Sequence, residues 1–315
     1  MASALKIKDL WAREILNSRG IPTLEVVLTT KSGFRVAAGV PAGASTGARE
    51  ALDLRDNDKK RYGGKGVLKA LNNVNHKIAP FLKKKTFKDL KAVDAALLAL
   101  DKTPQKSKLG GNAIVGVSIA AAKAFAVESN MTVYEYIASA YSFKLTKEMP
   151  TPMMNIFNGG KHADTNLDIQ ELIIVPLRKK LMTERVRMCA EIFNALRDVL
   201  KTSGYDTDIG DEGGFAPDIY ATTEALRMIM LAIRQAGYVA GKDVGLAFDI
   251  GANTIYDEKD KKYRFKLDAT FFTSHQLIAL YEVWEEQFPI ISIEDGLSEN
   301  DWEGWALHSQ RMGDK

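Results

Sequence analysis

The sequence predicts an α+β part over residues 1–144, followed by an α/β part over residues 145–315. In the first part, two strand-like runs at 23–30 and 34–40 flank a Lys-Ser-Gly turn at 31–33, and helical patterns follow them. In the second part, short apolar runs alternate with longer helical patterns, which indicates parallel strands joined by crossover helices. With 46% hydrophobic and 26% charged residues, the chain is globular and long enough for two domains.

Helical patterns complete the first part, at 66–78, 88–100 and 112–128. Each repeats apolar residues at a spacing of three or four, so we predict helices packed beside a small sheet. The last of them is the most apolar stretch of the chain, but Ser118 and Lys123 interrupt it. Because a membrane span needs about 18 uninterrupted apolar residues, we predict a buried helix there and no membrane span.

The second part begins after Pro150-Thr151-Pro152. Its strand candidates are short and almost wholly apolar, the composition of strands that are buried on both faces. The predicted elements in chain order are a strand at 172–175, helices at 183–202 and 222–235, a strand at 244–248, a polar hairpin at 256–265, a helix at 273–286 and a strand at 290–293.

Composition and charge exclude several classes of protein. The single Cys189 cannot form an intrachain disulfide, and the N-terminal residues contain no apolar signal segment, so we expect a cytoplasmic protein. The net charge is only +3. The basic clusters at 83–85 and 178–180 lack interleaved aromatic residues and are interpreted as solvated faces, so no nucleic-acid partner is expected.

Acidic residues recur where predicted strands meet loops. Glu294 and Asp295 end one apolar run, Asp249 ends another, Glu171 opens a third, and Glu212 precedes a Gly-Gly pair. In a (β/α) barrel the carboxyl ends of the strands converge on one face, so acids that are distant in sequence would meet there. Crowded carboxylates need raised pKa values or a divalent cation, and oxygen ligands favour Mg²⁺ over Zn²⁺. The alternative is that each acid caps a helix or pairs with a lysine.

Several motifs combine glycine with polar or charged residues. They are AREILNSRG at 12–20, GASTG at 43–47, KSKLGGN at 106–112, NGGKHA at 158–163, GDEGGFAP at 210–217 and SIEDGLSENDW at 292–302. Any one of them is weakly specific. Together, in this order and at this spacing, they resemble the enolase family over the whole given length.

This resemblance implies an α+β lid or capping domain at 1–144 and an incomplete, TIM-like enolase-type barrel at 145–315. It also implies a lyase of glycolysis and gluconeogenesis, a cytoplasmic homodimer that reversibly dehydrates 2-phosphoglycerate to phosphoenolpyruvate with Mg²⁺. The family is the established example of a Lys or His base acting with one or two Mg²⁺ ions, so this mechanism comes with the resemblance and is not deduced from these residues.

The resemblance also assigns roles to individual residues. Asp249 and Glu294 resemble ligands of the tighter Mg²⁺, and Ser45 resembles the residue that meets a second Mg²⁺ when its glycine-framed loop closes. Glu212 resembles the general acid that protonates the departing hydroxide, and Glu171 a catalytic residue that supports it. Glu171 and Glu294 are also expected to contact the substrate.

Two further residues complete the predicted site. His162 resembles the loop histidine that acts near the substrate phosphate, as both a catalytic and a substrate-binding residue. Gln170 resembles a substrate-contacting residue, although a glutamine at a strand end that satisfies a backbone group is a close alternative. For the loop around Ser45 the alternative is an ordinary surface turn. After Asp249 the sequence Ile-Gly-Ala-Asn-Thr at 250–254 stands where family members carry an Ala-Ala-Ser-Glu-like stretch, which alters the surroundings of a predicted ligand.

The second part is short for a barrel of this class, which needs about 250 residues, so we predict that the barrel does not close. In the family the third metal-binding Asp and the Lys base lie beyond the position of Lys315. We expect residues 1–315 to be part of a longer protein. The alternative is a catalytically inactive fragment or homologue with a structural or binding role.

Overall fold

The computed structural model describes residues 4–43, 47–146, 148–178 and 180–313. They form two compact units, Met1–Lys147 and Glu148–Lys315.

The first unit contains a four-stranded antiparallel sheet in the order β3-β2-β1-β4. The predicted hairpin corresponds to β2 and β3. The longest strand, β1, was not predicted because charged residues fill its solvent-facing positions, whereas Leu5, Ile7 and Leu10 are buried. The strands are β1 (Leu5–Leu16), β2 (Pro22–Thr30), β3 (Arg35–Gly39) and β4 (Thr86–Phe87).

Helices cover one side of this sheet, as predicted. The predicted helix at 66–78 is interrupted: its last turn is π-helical over Val74–Ile78. The apolar helix α4 is long enough to cross a membrane, but 61% of it is buried inside the protein, which is typical of a core helix. The helices are α1 (Leu68–Asn73), α2 (Ala79–Leu82), α3 (Leu90–Leu100), α4 (Gly111–Glu128) and α5 (Val133–Tyr141).

The second unit contains the predicted strands and helices. Three further elements were not predicted: β5 before them, β10 after the hairpin and α9 at the end. Its elements are β5 (Met154–Asn158), β6 (Glu171–Pro176), α6 (Met182–Thr202), α7 (Thr222–Gln235), β7 (Val244–Asp249), β8 (Tyr256–Asp257), β9 (Lys262–Phe265), β10 (Thr270–Phe272), α8 (Ser274–Gln287), β11 (Ile290–Glu294) and α9 (Trp302–Met312).

The prediction of parallel strands is wrong for most of the main sheet. Its order is β11-β7-β6-β5, and only β7 and β11 are parallel. Two helices, α6 and α7, separate β6 from β7, and β7 runs antiparallel to β6. No helix separates β5 from β6. In the described part of this unit the strands form this open sheet and a small three-stranded one, β10-β9-β8, and no barrel closes, as predicted.

The main sheet packs its two faces differently. One face carries Leu172, Ile174, Leu246 and Phe248 into the large core that also contains residues of α6, α7 and α8. The other face carries a small cluster of Ile173, Val175 and Ala247, with Ile291 beside it. Glu171 and Asp249 lie on this second face, because side chains alternate along β6 and β7.

Candidate active site

Three acidic residues lie side by side on neighbouring strands at one edge of the main sheet. Glu294 is paired in register with Asp249, and Asp249 with Glu171. Neighbouring strands are about 4.8 Å apart, so these side chains are close enough to interact. Because β6 is antiparallel to β7, the first residue of β6 lies beside the last residue of β7. We call Glu171, Asp249 and Glu294 the acidic row.

A second cluster joins the acidic row through Glu171. Ligand atoms of His162, Glu171 and Glu212 all lie within 4.8 Å of one another. The Nδ1 atom of His162 is 3.0 Å from Oε1 of Glu171. His162 is buried, whereas Glu212 is exposed to solvent. The cluster therefore offers an imidazole and a carboxylate pair at a surface that a small molecule can reach.

The loop between β5 and β6 places His162 in this cluster. The backbone N–H of Gly159 donates to the carbonyl of Gln170, and that of His162 donates to the carbonyl of Gly159. A Cβ atom at Gly159 would lie 2.3 Å from the carbonyl oxygen of Ile169, so no other residue fits there without movement. The Asn-Gly-Gly motif thus has a steric requirement for glycine.

The loop at 210–214 brings Glu212 to the same place. The backbone N–H of Asp211 donates to the carbonyl of His162 over 3.1 Å, and that of Gly210 donates to the carbonyl of Gly214 over 2.8 Å. A Cβ atom at Gly214 would lie 2.8 Å from the carbonyl carbon of Phe157. The Gly-Gly pair after Glu212 therefore lets this loop lie directly on the end of β5.

Asp249 is held by hydrogen bonds to both of its carboxylate oxygens. Oδ2 accepts from Nε2 of Gln170 over 2.8 Å, and Oδ1 accepts from the backbone N–H of Gly251 over 3.0 Å. Gly251 has a φ of +60°, and a Cβ atom there would lie 2.7 Å from Oε1 of Gln170. Gly251, which belongs to the stretch after Asp249 that departs from the family's sequence, therefore makes room for Gln170 and donates to Asp249.

The environment raises the pKa of every member of the acidic row. Burial raises the pKa of Glu171, and the nearby Asp249 and Glu212 carboxylates raise it further. Burial is also the main cause of the raised pKa of Asp249. For Glu294, burial is the first cause of the raised pKa, followed by repulsion from Asp249 and Asp295. The row therefore carries unfavourable negative charge that a bound proton or cation would relieve.

The alternative interpretations of these acids receive no support from the described residues. Within the described ranges no lysine or arginine forms an ion pair with Glu171, Glu212, Asp249 or Glu294. The one basic side chain that contacts any of them there is His162, which contacts Glu171. The acid-capped helices in the described ranges begin after other residues, Asp89 and Asp301.

Family comparisons agree with this geometry. A family model described as "Enolase, N-terminal domain" matches residues 7–137, and one described as "Enolase, C-terminal TIM barrel domain" matches residues 146–315. The chain belongs to the enolase family. The resemblance inferred from the motifs is thereby confirmed, as is the fold class of an N-terminal enolase domain followed by an incomplete barrel domain.

In this enolase-family chain the structure brings together every predicted site residue except one. His162, Gln170 and Glu171 lie on the loop before β6 and at its start, and Asp249 and Glu294 end their strands. Ser45, the residue predicted to meet a second Mg²⁺, lies outside the described residues.

Asp295 and Asn158 also belong to this region, although neither was predicted as a site residue. Asp295 raises the pKa of both Asp249 and Glu294 and has a φ of +46°. Asn158 is paired in register with Glu171 and is fully buried. Its sequence signal was its place at the head of the Asn-Gly-Gly motif, and it is the last residue of β5, a strand that was not predicted.

The residues of the acidic row fit a divalent cation. Asp249 and Glu294 offer hard oxygen ligands, and Mg²⁺ is usually held by one or two carboxylates together with water and substrate oxygens. Gln170 and Gly251 fix the Asp249 carboxylate from behind, the kind of support that orients metal ligands. The cluster of His162, Glu171 and Glu212 is a second candidate metal site, with a nitrogen among its ligands.

Proposed function

We propose that this protein is an enolase that catalyses the Mg²⁺-dependent, reversible dehydration of 2-phosphoglycerate to phosphoenolpyruvate. The observation that carries the proposal is the position of Glu171, which lies in register beside Asp249 and within 4.8 Å of both His162 and Glu212. Membership of the enolase family supports the same reaction.

The reaction removes a proton from the carbon beside a carboxylate and a hydroxide from the next carbon. Asp249 and Glu294 would hold Mg²⁺, because they are adjacent oxygen ligands without a basic partner in the described ranges. When bound, the ion neutralises the negative charge that accumulates on the substrate carboxylate. The nitrogen-containing cluster around His162 is assigned to proton transfer and substrate binding.

Glu212 is the proposed general acid for the departing hydroxide. It is exposed, so it can meet a substrate, and its neighbour Glu171 repels a second negative charge. Burial and the nearby Asp249 and Glu212 carboxylates raise the pKa of Glu171, which favours the protonated form of Glu171. A proton held in this cluster is available for transfer to the leaving oxygen.

Substrate contacts are assigned to His162, Glu171 and Glu294, with His162 nearest to the phosphate. Gln170 was predicted to contact substrate as well. Its Nε2 donates to Asp249, so we propose that holding this metal ligand is its first role and that any contact with substrate is made in addition.

Other parts of the proposal rest on family membership alone. They are the lid role of Ser45, a homodimeric assembly, a cytoplasmic location and a place in glycolysis and gluconeogenesis. The proton-abstracting base is not assigned to any residue of the described ranges.

The test is turnover of 2-phosphoglycerate by the protein expressed from its complete reading frame, followed by the ultraviolet absorbance of phosphoenolpyruvate. We expect Mg²⁺-dependent activity that Glu212→Gln and Asp249→Asn each lower by at least about 10²-fold. Glu258→Gln makes the same chemical change at an exposed acid of the β8–β9 turn and should retain full activity. A folded protein without turnover in excess Mg²⁺ would instead support a non-catalytic relative.

A further inference from the structure

We propose that Asn158 is a positioning residue that sets Glu212 against Glu171; the proposal rests on the proposed function of Glu212 as the general acid. Asn158 is the last residue of β5 and is fully buried. It contacts the segments that carry both carboxylates, one through a side-chain hydrogen bond and the other through strand pairing.

The side chain of Asn158 anchors the loop that carries Glu212. Its Oδ1 atom accepts a hydrogen bond of 2.8 Å from the backbone N–H of Gly214. Its backbone N–H donates to the carbonyl of Phe215, also over 2.8 Å. Two consecutive residues of the chain shortly after Glu212 are thus attached to a single residue at the end of a core strand.

The loop is tight enough to transmit this anchor to Glu212. Gly210 donates to the carbonyl of Gly214, and Gly213 donates to the carbonyl of Gly210, over 2.8 and 3.1 Å. A Cβ atom at Gly210 would lie 2.8 Å from Cβ of Asn158, so both ends of the loop rest on this side chain. A shift of Asn158 would therefore move the backbone on either side of Glu212.

The other neighbour of Asn158 is Glu171, its register partner on β6. An aspartate at position 158 would place a second negative charge beside the Glu171 carboxylate, its register partner. An aliphatic residue would leave the N–H of Gly214 without its acceptor, which is costly for a buried group. Asparagine supplies the acceptor without the charge.

The unused half of the same amide supports this interpretation. Nδ2 of Asn158 is buried and has no hydrogen-bond partner in the part of the chain that the structure describes. Rotating the amide by about 180° would exchange Oδ1 and Nδ2. The Nδ2 donor would then face the N–H of Gly214, which is also a donor. The amide orientation that gives the Gly214 N–H its acceptor thus leaves Nδ2 without a partner among the described residues.

The test compares Asn158→Ala with Asn158→Asp and with a matched control, Asn155→Ala. Asn155 lies three residues earlier on β5, and both polar atoms of its side chain are buried without a partner within the described ranges. Hydrogen–deuterium exchange of the Gly214 amide reports the anchor directly. Steady-state kinetics of the full-length protein report its effect on turnover.

For Asn158→Ala we expect exchange at Gly214 to rise about tenfold and kcat to fall about 100-fold, with KM within about threefold of the wild-type value. Asn158→Asp, which keeps the acceptor, should restore the protection of Gly214. Asn155→Ala should keep both the protection of Gly214 and kcat, whatever its thermal stability.

Unchanged exchange at Gly214 in Asn158→Ala would overturn the proposal, whether or not the protein is active. Unchanged kcat in an active Asn158→Ala variant would overturn it too, as would an equal loss of kcat in Asn155→Ala. If the wild-type protein does not turn over 2-phosphoglycerate, the proposed function fails, and the exchange data alone then decide whether Asn158 anchors the loop.

Discussion

The side-chain amide of Gln170 donates a 2.8 Å hydrogen bond to the buried carboxylate of Asp249 across the edge of the main sheet. The two residues are 79 positions apart in the chain, so only the pairing of β6 with β7 brings them together. This bond fixes the direction in which Asp249 presents its remaining lone pairs. We therefore expect it to influence how well the acidic row binds a cation.

We predict that Gln170→Leu weakens Mg²⁺ binding by about 10–100-fold, the usual effect of losing a residue that orients a metal ligand. Leucine keeps most of the volume of glutamine but cannot donate to Asp249. Isothermal titration of the folded protein with MgCl₂ measures the change. Gln235→Leu, at the exposed end of α7, is the matched control and should bind Mg²⁺ normally. Equal affinities in the three proteins would contradict the prediction.

A second prediction concerns Glu171, whose pKa is raised by burial and by the nearby carboxylates. A raised pKa in the folded state means that this group favours folding at low pH and that the advantage is lost as pH rises through the folded pKa. Glu171→Gln removes the charge, so the metal-free variant should be more stable by about 0.5–2 kcal/mol at neutral pH.

Urea unfolding in EDTA at neutral and acidic pH measures this effect. The gain should shrink at acidic pH, because the wild-type carboxyl is then protonated as well. Glu258→Gln, an exposed acid of the β8–β9 turn, should show no gain at either pH. A destabilised Glu171→Gln protein would show that the contact with His162 outweighs the repulsion within the acidic row.

The third prediction concerns Mg²⁺ and pH together. Without metal, the contribution of Glu171, Asp249 and Glu294 to stability should decline as pH rises through their raised pKa values. With Mg²⁺ at about 100 times its Kd, binding should add roughly 2.7 kcal/mol. The benefit should grow with pH, because deprotonated carboxylates bind the ion. Thermal scans with MgCl₂ and with EDTA measure both trends, and a benefit that is independent of pH would contradict them.

Much of the site could be predicted from the sequence, because short-range patterns mark strand ends and glycine loops. Asp249 and Glu294 lie where their apolar runs predicted. The convergence of strand carboxyl ends did not account for Glu171. Glu171 is the first residue of β6, and in a parallel sheet it would lie at the opposite edge. The antiparallel direction of β6 puts it beside Asp249, and this direction depends on the two helices between β6 and β7.

The part that could not be predicted depends on contacts between distant segments. Nothing local to Asn158 shows that its amide would support a loop 56 positions away. Strand β1 was missed because its alternation is obscured by charged residues, and its pairing with β2 becomes visible only in the folded sheet. The role of Ser45 stays a prediction, since it lies outside the described residues.

The last prediction tests whether the glycine of the Asn-Gly-Gly motif is required for packing. A Cβ atom at Gly159 would lie 2.3 Å from the carbonyl of Ile169 and 2.5 Å from that of Leu167, so the loop that carries His162 must move in Gly159→Ala. We expect a loss of about 1–3 kcal/mol in the free energy of unfolding, as for other overpacked sites.

The control is Gly204→Ala, because Gly204 has a φ of +81° but no atom within 4 Å of the position that a methyl group would take. It should lose about 1 kcal/mol through backbone strain alone, with the His162 loop undisturbed. Urea unfolding measures both losses, and amide exchange at His162 separates their causes: exchange should rise in Gly159→Ala and stay unchanged in Gly204→Ala. Unchanged exchange at His162 in Gly159→Ala would show that the close approach of the two carbonyls does not require glycine at this position.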